Sequence, residues 1–203
     1  ESWLCAALFK TLKPKQLREG AIEAWKMVAC LDRARWSQYQ KSVPPLATLI
    51  RDARELKDRV CSKDPYERTG LRQFLNFGHT FGHVVESLTR FRVSHGDAVG
   101  LGILCALDVG RKTGGTPKAV AEEIERGFQQ GLNASDRRKL ARALGSVRPA
   151  LVEALLSADK KSTARGELRM VLVPALGRAV VRSVDGRVWG SLLSSWKSGI
   201  RPE

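Results

Sequence analysis

The stretch Leu71-Arg72-Gln73-Phe74-Leu75-Asn76-Phe77-Gly78-His79-Thr80-Phe81-Gly82-His83 decides how this chain is read. Phe74, Leu75, Phe77, Phe81, Val84 and Val85 recur at helical spacing, which predicts one long helix over Leu71–Thr89. At about 100° per residue, Arg72, Asn76, His79 and His83 fall on one line of that helix, within roughly 60° of one another. Gly78 and Gly82 each lower helix propensity by about 1 kcal/mol, a cost that points to something approaching the backbone closely. A guanidinium, an amide and two imidazoles aimed the same way suit an anionic or metal-bound ligand. The 3 histidines of the chain, His79, His83 and His95, lie close together in sequence. His79 and His83 at i, i+4 can face one metal ion, and neutral imidazole is the usual zinc ligand. A satisfied buried polar network fits the same residue types, and the HExxH pattern of metalloproteases is absent.

Working outward, a turn around Pro14 precedes a helix over Lys15–Cys30, and a second is predicted over Leu31–Lys41, ended by Pro44-Pro45. A third covers Leu46–Ser62 and stops at Lys63-Asp64-Pro65. Gly96–Lys112 is apolar almost all round, so it reads as a buried helix. Gly114-Gly115-Thr116-Pro117 breaks the chain before a helix over Lys118–Gln129, and short helices are predicted over Ser135–Leu144 and Arg148–Ser157. Glu167–Val173 and Arg178–Val184 carry β-branched residues around Pro-Ala-Leu-Gly, the pattern of a β-hairpin. The expectation is a mainly α, multi-helix bundle with a small β-hairpin near the C-terminus, forming a single domain over residues 1–203. No strand–helix alternation with a GxGxxG or Walker-type loop occurs, so no dinucleotide-binding domain is visible.

Composition narrows the classes. The chain has 203 residues, 43% hydrophobic and 28% charged, enough apolar material for a packed core. Ala98–Leu107, the longest uncharged apolar run, is about half of what a bilayer crossing needs. With 35 Lys+Arg against 21 Asp+Glu, the formal charge is +14, a field that attracts anions of any kind. The basic residues are dispersed, with no aromatic-interleaved basic patch or reader motif, so nucleic acid is not an expected partner. The 4 cysteines, at 5, 30, 61 and 105, form no CxxC pair and read as the reduced thiols of a cytoplasmic protein.

Two further sets complete the candidates. Glu23 and Lys26 are i, i+3 neighbours on the first helix; taken alone, such a pair is usually a surface ion pair worth tenths of a kcal/mol. Asp159-Lys160-Lys161, taken alone, is a solvated loop.

In order along the chain stand Thr11-Leu12 to Gly20 with Glu23 and Lys26, Gly70-Leu71-Arg72 through Leu75-Asn76-Phe77-Gly78-His79-Thr80-Phe81-Gly82-His83, His95-Gly96-Asp97-Ala98-Val99, and Asp159-Lys160-Lys161 before the hairpin. This combination resembles the C-terminal domain of the 3-dehydroquinate synthase family, among the sugar-phosphate cyclases. The resemblance implies that Glu23, His79 and His95 hold a divalent ion, zinc first. It implies that Lys57 and Arg72 bind a carboxylate, and that Asn76, His83 and Lys160 or Lys161 contact phosphate and the reacting hydroxyl. Lys26 and His83 take the family's catalytic positions, with Lys26 beside the metal.

Departures from the family shape the functional expectation. The family's NAD-binding half precedes this region, and residues 1–12 read as a remnant of the junction to it, so NAD is not expected to bind this chain alone. Asp64-Pro65-Tyr66-Glu67-Arg68-Thr69-Gly70 is one residue longer than the usual pattern, Asp97 replaces the commoner Glu, and Met27-Val28 stand where Tyr-Gly is common. One reading is a protein without synthase activity that uses its metal and anion pocket as a regulatory or scaffolding partner of a shikimate-pathway enzyme such as shikimate kinase. The alternative is a fragment of an active 3-dehydroquinate synthase, which eliminates phosphate and closes a ring with NAD and zinc in aromatic amino-acid biosynthesis. Family members commonly dimerise, so a homodimer is a further expectation.

Overall fold

Pro14 and Gln16 show how the first helix starts. Proline supplies a preset φ at the first helical position, and the Gln16 side chain accepts a hydrogen bond from the Lys13 N–H at 2.9 Å. In the computed structural model, which describes residues 5–129, 167–185 and 188, this helix is α1 (Pro14–Leu31), preceded by a 3-10 helix over Ala6–Thr11. It is followed by α2 (Arg33–Lys41), α3 (Leu46–Lys63), a second 3-10 helix (Leu71–Asn76), α4 (His79–Leu88), α5 (His95–Lys112) and α6 (Lys118–Gln129). Strands β1 (Glu167–Ala175) and β2 (Arg178–Asp185) form an antiparallel pair with Leu168 opposite Val184 and Val171 opposite Val181. The architecture is mainly α with one hairpin, as the sequence pattern predicts. The helices expected over Ser135–Leu144 and Arg148–Ser157 lie outside the described residues.

One expected element is corrected. Leu71–Thr89 is not a single helix: the 3-10 segment ends at Asn76, Gly78 takes φ +80°, and α4 starts afresh at His79. The close approach that costs Gly78 and Gly82 their helix propensity is α5. A Cβ on Gly78 would stand 2.8 Å from the Val99 carbonyl oxygen, and one on Gly102 would run into the Gly78 carbonyl oxygen and sit 2.6 Å from the Gly82 nitrogen. Backbone meets backbone where α4 crosses α5, and side chains there would hold the helices apart.

Burial follows the same logic. α5 is buried along most of its length, with Val99, Ile103, Leu107 and Val109 inaccessible to solvent. The same core cluster holds Val28 of α1, Trp36 of α2, Leu56 of α3, Ile124 of α6 and Leu172 of β1, and α5 itself packs against α4, α1, α6 and β1. Each such side chain contributes about 1.5–3 kcal/mol by leaving water. Trp36 stands edge-on to Trp25 at 5.4 Å and donates its indole N–H to Glu123 at 3.0 Å. The hairpin turn is tied to α1: the Gly177 N–H donates to the Ala29 carbonyl at 2.8 Å.

Candidate metal and anion centre

The centre lies where the starts of α4 and α5 meet the middle of α1. Gly96 sets this approach, since a Cβ there would fall 2.8 Å from the Cα of Glu19. Glu19 is one turn before Glu23 on α1, and Gly96 follows His95, so the contact brings His95 up to Glu23. The α5 start is further pinned by Asp97, fully buried, whose carboxylate accepts from the Arg18 guanidinium at 3.2 and 3.3 Å and from the Ser94 hydroxyl at 3.0 Å.

Glu23, His79 and His95 each present one ligand atom, and these atoms all lie within 4.8 Å of one another. Glu23 Oε2 accepts from Lys26 Nζ at 2.6 Å. Glu23 Oε1 is buried and has no hydrogen-bond partner among the described residues, with His79 Nε2 at 3.9 Å and His95 Nε2 at 4.0 Å. Both distances exceed a hydrogen bond. Behind each ring, the other nitrogen faces an acceptor: His79 Nδ1 is 3.4 Å from the Phe77 carbonyl oxygen, and His95 Nδ1 is 3.1 Å from Glu86 Oε1. The histidine rings stack edge to face at 5.3 Å, and the His95 side chain is 53% exposed, so the cluster opens outward.

These residues fit a divalent cation. Two imidazole Nε2 atoms face an orphaned carboxylate oxygen, a donor set that a divalent cation suits. Tetrahedral zinc holds its N and O ligands roughly 3.3 Å apart, so separations of up to 4.8 Å close onto an ion by side-chain rotation of up to about 1.5 Å per pair. Burial first, then the charge of Lys26, pushes the His79 imidazole down to about 4, against the pull of Glu23. His79 is therefore neutral at physiological pH, the form that ligates. Burial likewise lowers the Lys26 ammonium, which is 2% exposed; Glu23 opposes this and the nearby charge of Lys57 adds to it.

The other expected site residues are placed unevenly. His83 is exposed on α4, its ring 5.9 Å from that of His79. Lys57 is exposed on α3, within electrostatic reach of Lys26. Asn76 ends the second 3-10 helix, half-buried, and so does not share a helix line with His79 and His83. Arg72 lies in the same 3-10 helix, so it too leaves the line of His79 and His83, and it is tied to the preceding loop: its guanidinium donates to the Pro65 carbonyl at 3.0 Å and its N–H to Asp64 at 3.3 Å. Buried Asp64 also accepts from the N–H groups of Arg68 and Thr69 at 2.7 and 3.1 Å. Burial raises its pKa, but the donated bonds from Thr69, Arg72 and Arg68 outweigh it and hold the carboxyl below the usual range. Lys160 and Lys161 lie outside the described residues.

Two contributors are not singled out by the sequence pattern. Glu86 sits seven residues after His79, two helical turns along the same face, and that spacing is the available signal. Asp64 hides in a turn signal, where Asp before Pro reads as punctuation rather than as the hub of a loop.

Residues 20–162 match the family model of the 3-dehydroquinate synthase C-terminal domain. The chain belongs to this family. It is 30% identical over 202 residues to 3-dehydroquinate synthase of Endomicrobium trichonymphae, covering 96% of this chain and 54% of that protein. It is 38% identical over 148 residues to the enzyme of Chlorobium luteolum, covering 70% of this chain and 39% of the relative. With the enzyme of Bordetella pertussis it shares 35% over 188 residues, 85% of this chain and 48% of the relative. The chain thus spans about half the length of the curated relatives it matches. Among solved structures, the fold is similar to a 2-deoxy-scyllo-inosose synthase complexed with carbaglucose-6-phosphate, NAD+ and Co2+ (TM-score 0.71, 19% identity, 94% of this chain and 54% of that one). It is equally similar to 2-epi-5-epi-valiolone synthase from Streptomyces hygroscopicus subsp. jinggangensis with NAD+ and Zn2+ bound (TM-score 0.71, 21% identity, 95% and 54%). This dehydroquinate-synthase-type fold is what the family assignment predicts, and among the described residues no helix is long and apolar enough to cross a membrane.

Proposed function

We infer that the chain supplies the metal- and substrate-binding half of a 3-dehydroquinate-synthase-type cyclase. The observation that carries this is the buried, unpartnered Glu23 Oε1 facing two imidazole Nε2 atoms. Glu23, His79 and His95 would hold a divalent ion, zinc first, which when bound supplies Lewis acidity toward a substrate oxygen. Lys26 fixes Glu23 through Oε2 and leaves Oε1 free for the ion. The buried ammonium beside a carboxylate–imidazole cluster also keeps the site attractive to an anion. Lys57 and Arg72 are proposed to take the substrate carboxylate. Asn76, His83 and Lys160 or Lys161 are proposed to take the phosphate and reacting hydroxyl. Redox chemistry is assigned to an NAD-binding half such as the relatives' additional length accommodates.

Zinc titration of the metal-free chain by calorimetry tests the reading. One site per chain is expected, weakened at least about tenfold by His79→Ala or His95→Ala. Stoichiometric zinc unaffected by both substitutions would contradict the assignment. Mixed with the phosphorylated ketose acid and NAD, the chain alone is expected to release no phosphate; sustained release would contradict the assignment of redox chemistry to another half. No contact among the described residues favours the regulatory partnership expected from the sequence. As a proposal it has its own check: co-purification with shikimate kinase and a changed kinase rate support it, and absence of both overturns it.

A further inference from the structure

Each imidazole of the cluster has its rear nitrogen against an acceptor, and the two acceptors differ in kind. Behind His79 stands the main-chain carbonyl of Phe77, set by the end of the 3-10 helix; behind His95 stands a side chain, Glu86 of α4. A carboxylate accepts and does not donate, so in the neutral ring this contact places the hydrogen on Nδ1 and leaves the Nε2 lone pair toward Glu23 Oε1. The bond to Glu86 is the one hydrogen bond to the His95 ring among the described residues. The ring is 53% exposed, whereas the Glu86 side chain is 13% exposed and braced on α4. Without that bond, a half-exposed imidazole at a helix start samples other rotamers and the other tautomer.

We propose that Glu86 is a positioning residue of this centre: by accepting the His95 Nδ1–H it holds the ring in the tautomer and heading that offer Nε2 to a cation shared with Glu23 and His79. Glu86 is not one of the three clustered ligands; its Oε1 faces the ring. The effect is pre-organisation, since the ligand is ordered before the ion arrives and less ordering is left for the binding step. The inference rests on the metal reading above, and its experiment separates the two.

The full chain, metal-free and 15N-labelled, is read by long-range 1H–15N correlation for the His95 tautomer, and Zn2+ alone is titrated against a competing chelator. Wild type is expected to show the Nδ1–H tautomer. Glu86→Ala is expected to lose it and to bind Zn2+ about 10–100-fold more weakly. Glu86→Gln, whose amide oxygen accepts the same bond, is expected to keep the tautomer and stay within about fivefold of wild type. Glu86→Met, of similar length without a strong acceptor, repeats the alanine test should that variant not fold. An unchanged tautomer in the acceptor-less variants overturns the proposal whatever zinc does. So does a changed tautomer with zinc affinity within about twofold of wild type. Failure of wild type to bind Zn2+, or binding indifferent to Glu23→Gln, overturns the metal reading instead, and the tautomer still reports whether Glu86 sets the ring.

Discussion

Lys26 and His79 are coupled through Glu23: the lysine charge depresses the imidazole, and the carboxylate between them partly offsets it. Lys26→Met removes the first effect, so the His79 titration midpoint, followed by NMR in the metal-free protein, is expected to rise from about 4 toward the ordinary value. A midpoint unmoved or lowered would mean that the lysine charge does not depress it. The same depression makes stability depend on pH. Folded His79 protonates near 4 and an unfolded histidine near about 6.5. Between these values the unfolded chain binds the extra proton, so stability is full above the upper value and is lost as pH falls toward the lower one. Urea midpoints of the metal-free protein are expected to drop across that window, and His79→Asn to flatten the drop. At this scale the residue types of Glu23, His79 and His95 are plain in the sequence, but their convergence from three helices is legible only through the family resemblance. Periodicity relates residues on one helix, and this site is built between helices.

Glycines decide how the elements meet. Gly96→Ala forces α5 off α1 at Glu19, and is expected to destabilise by about 1–3 kcal/mol and to weaken zinc binding by drawing His95 from Glu23. Gly20, in α1, is the control, because a Cβ there would meet nothing within 4 Å. Gly20→Ala is expected to stabilise by about 0.5–1 kcal/mol. Denaturant midpoints with unchanged slopes check both. Arg90 and Phe91, in the turn between α4 and α5, take φ +50° and +57°, conformations that disfavour residues with a Cβ. Arg90→Gly is expected to be neutral to stabilising, by up to about 1 kcal/mol, because relief of strain offsets the added unfolded-state entropy. Helix spans are legible because Pro14, Pro44-Pro45, Asp64-Pro65 and Gly114-Gly115 punctuate them. The break inside Leu71–Thr89 is not, because apolar spacing continues across Gly78 and only the crossing with α5 demands the left-handed residue there.

For the whole molecule, the proposed ion would act as a ligand of the folded state. At a hundredfold excess over its dissociation constant it adds about 2.7 kcal/mol, expected as a rise in urea midpoint that Glu23→Gln abolishes. The charge of +14 attracts anions of any kind, and charge alone does not select among them. Bundle and hairpin are readable from hydrophobic pattern, since burial of α5 and pairing of β1 with β2 follow directly from it.

X-ray absorption at the zinc edge of the loaded chain tests the shared cation most directly. Two imidazole nitrogens and carboxylate or water oxygens are expected at about 2.0–2.2 Å, with one imidazole's scattering lost in His95→Ala. Sulfur donors near about 2.3 Å, or a spectrum without imidazole that His79→Ala and His95→Ala leave unchanged, would contradict it.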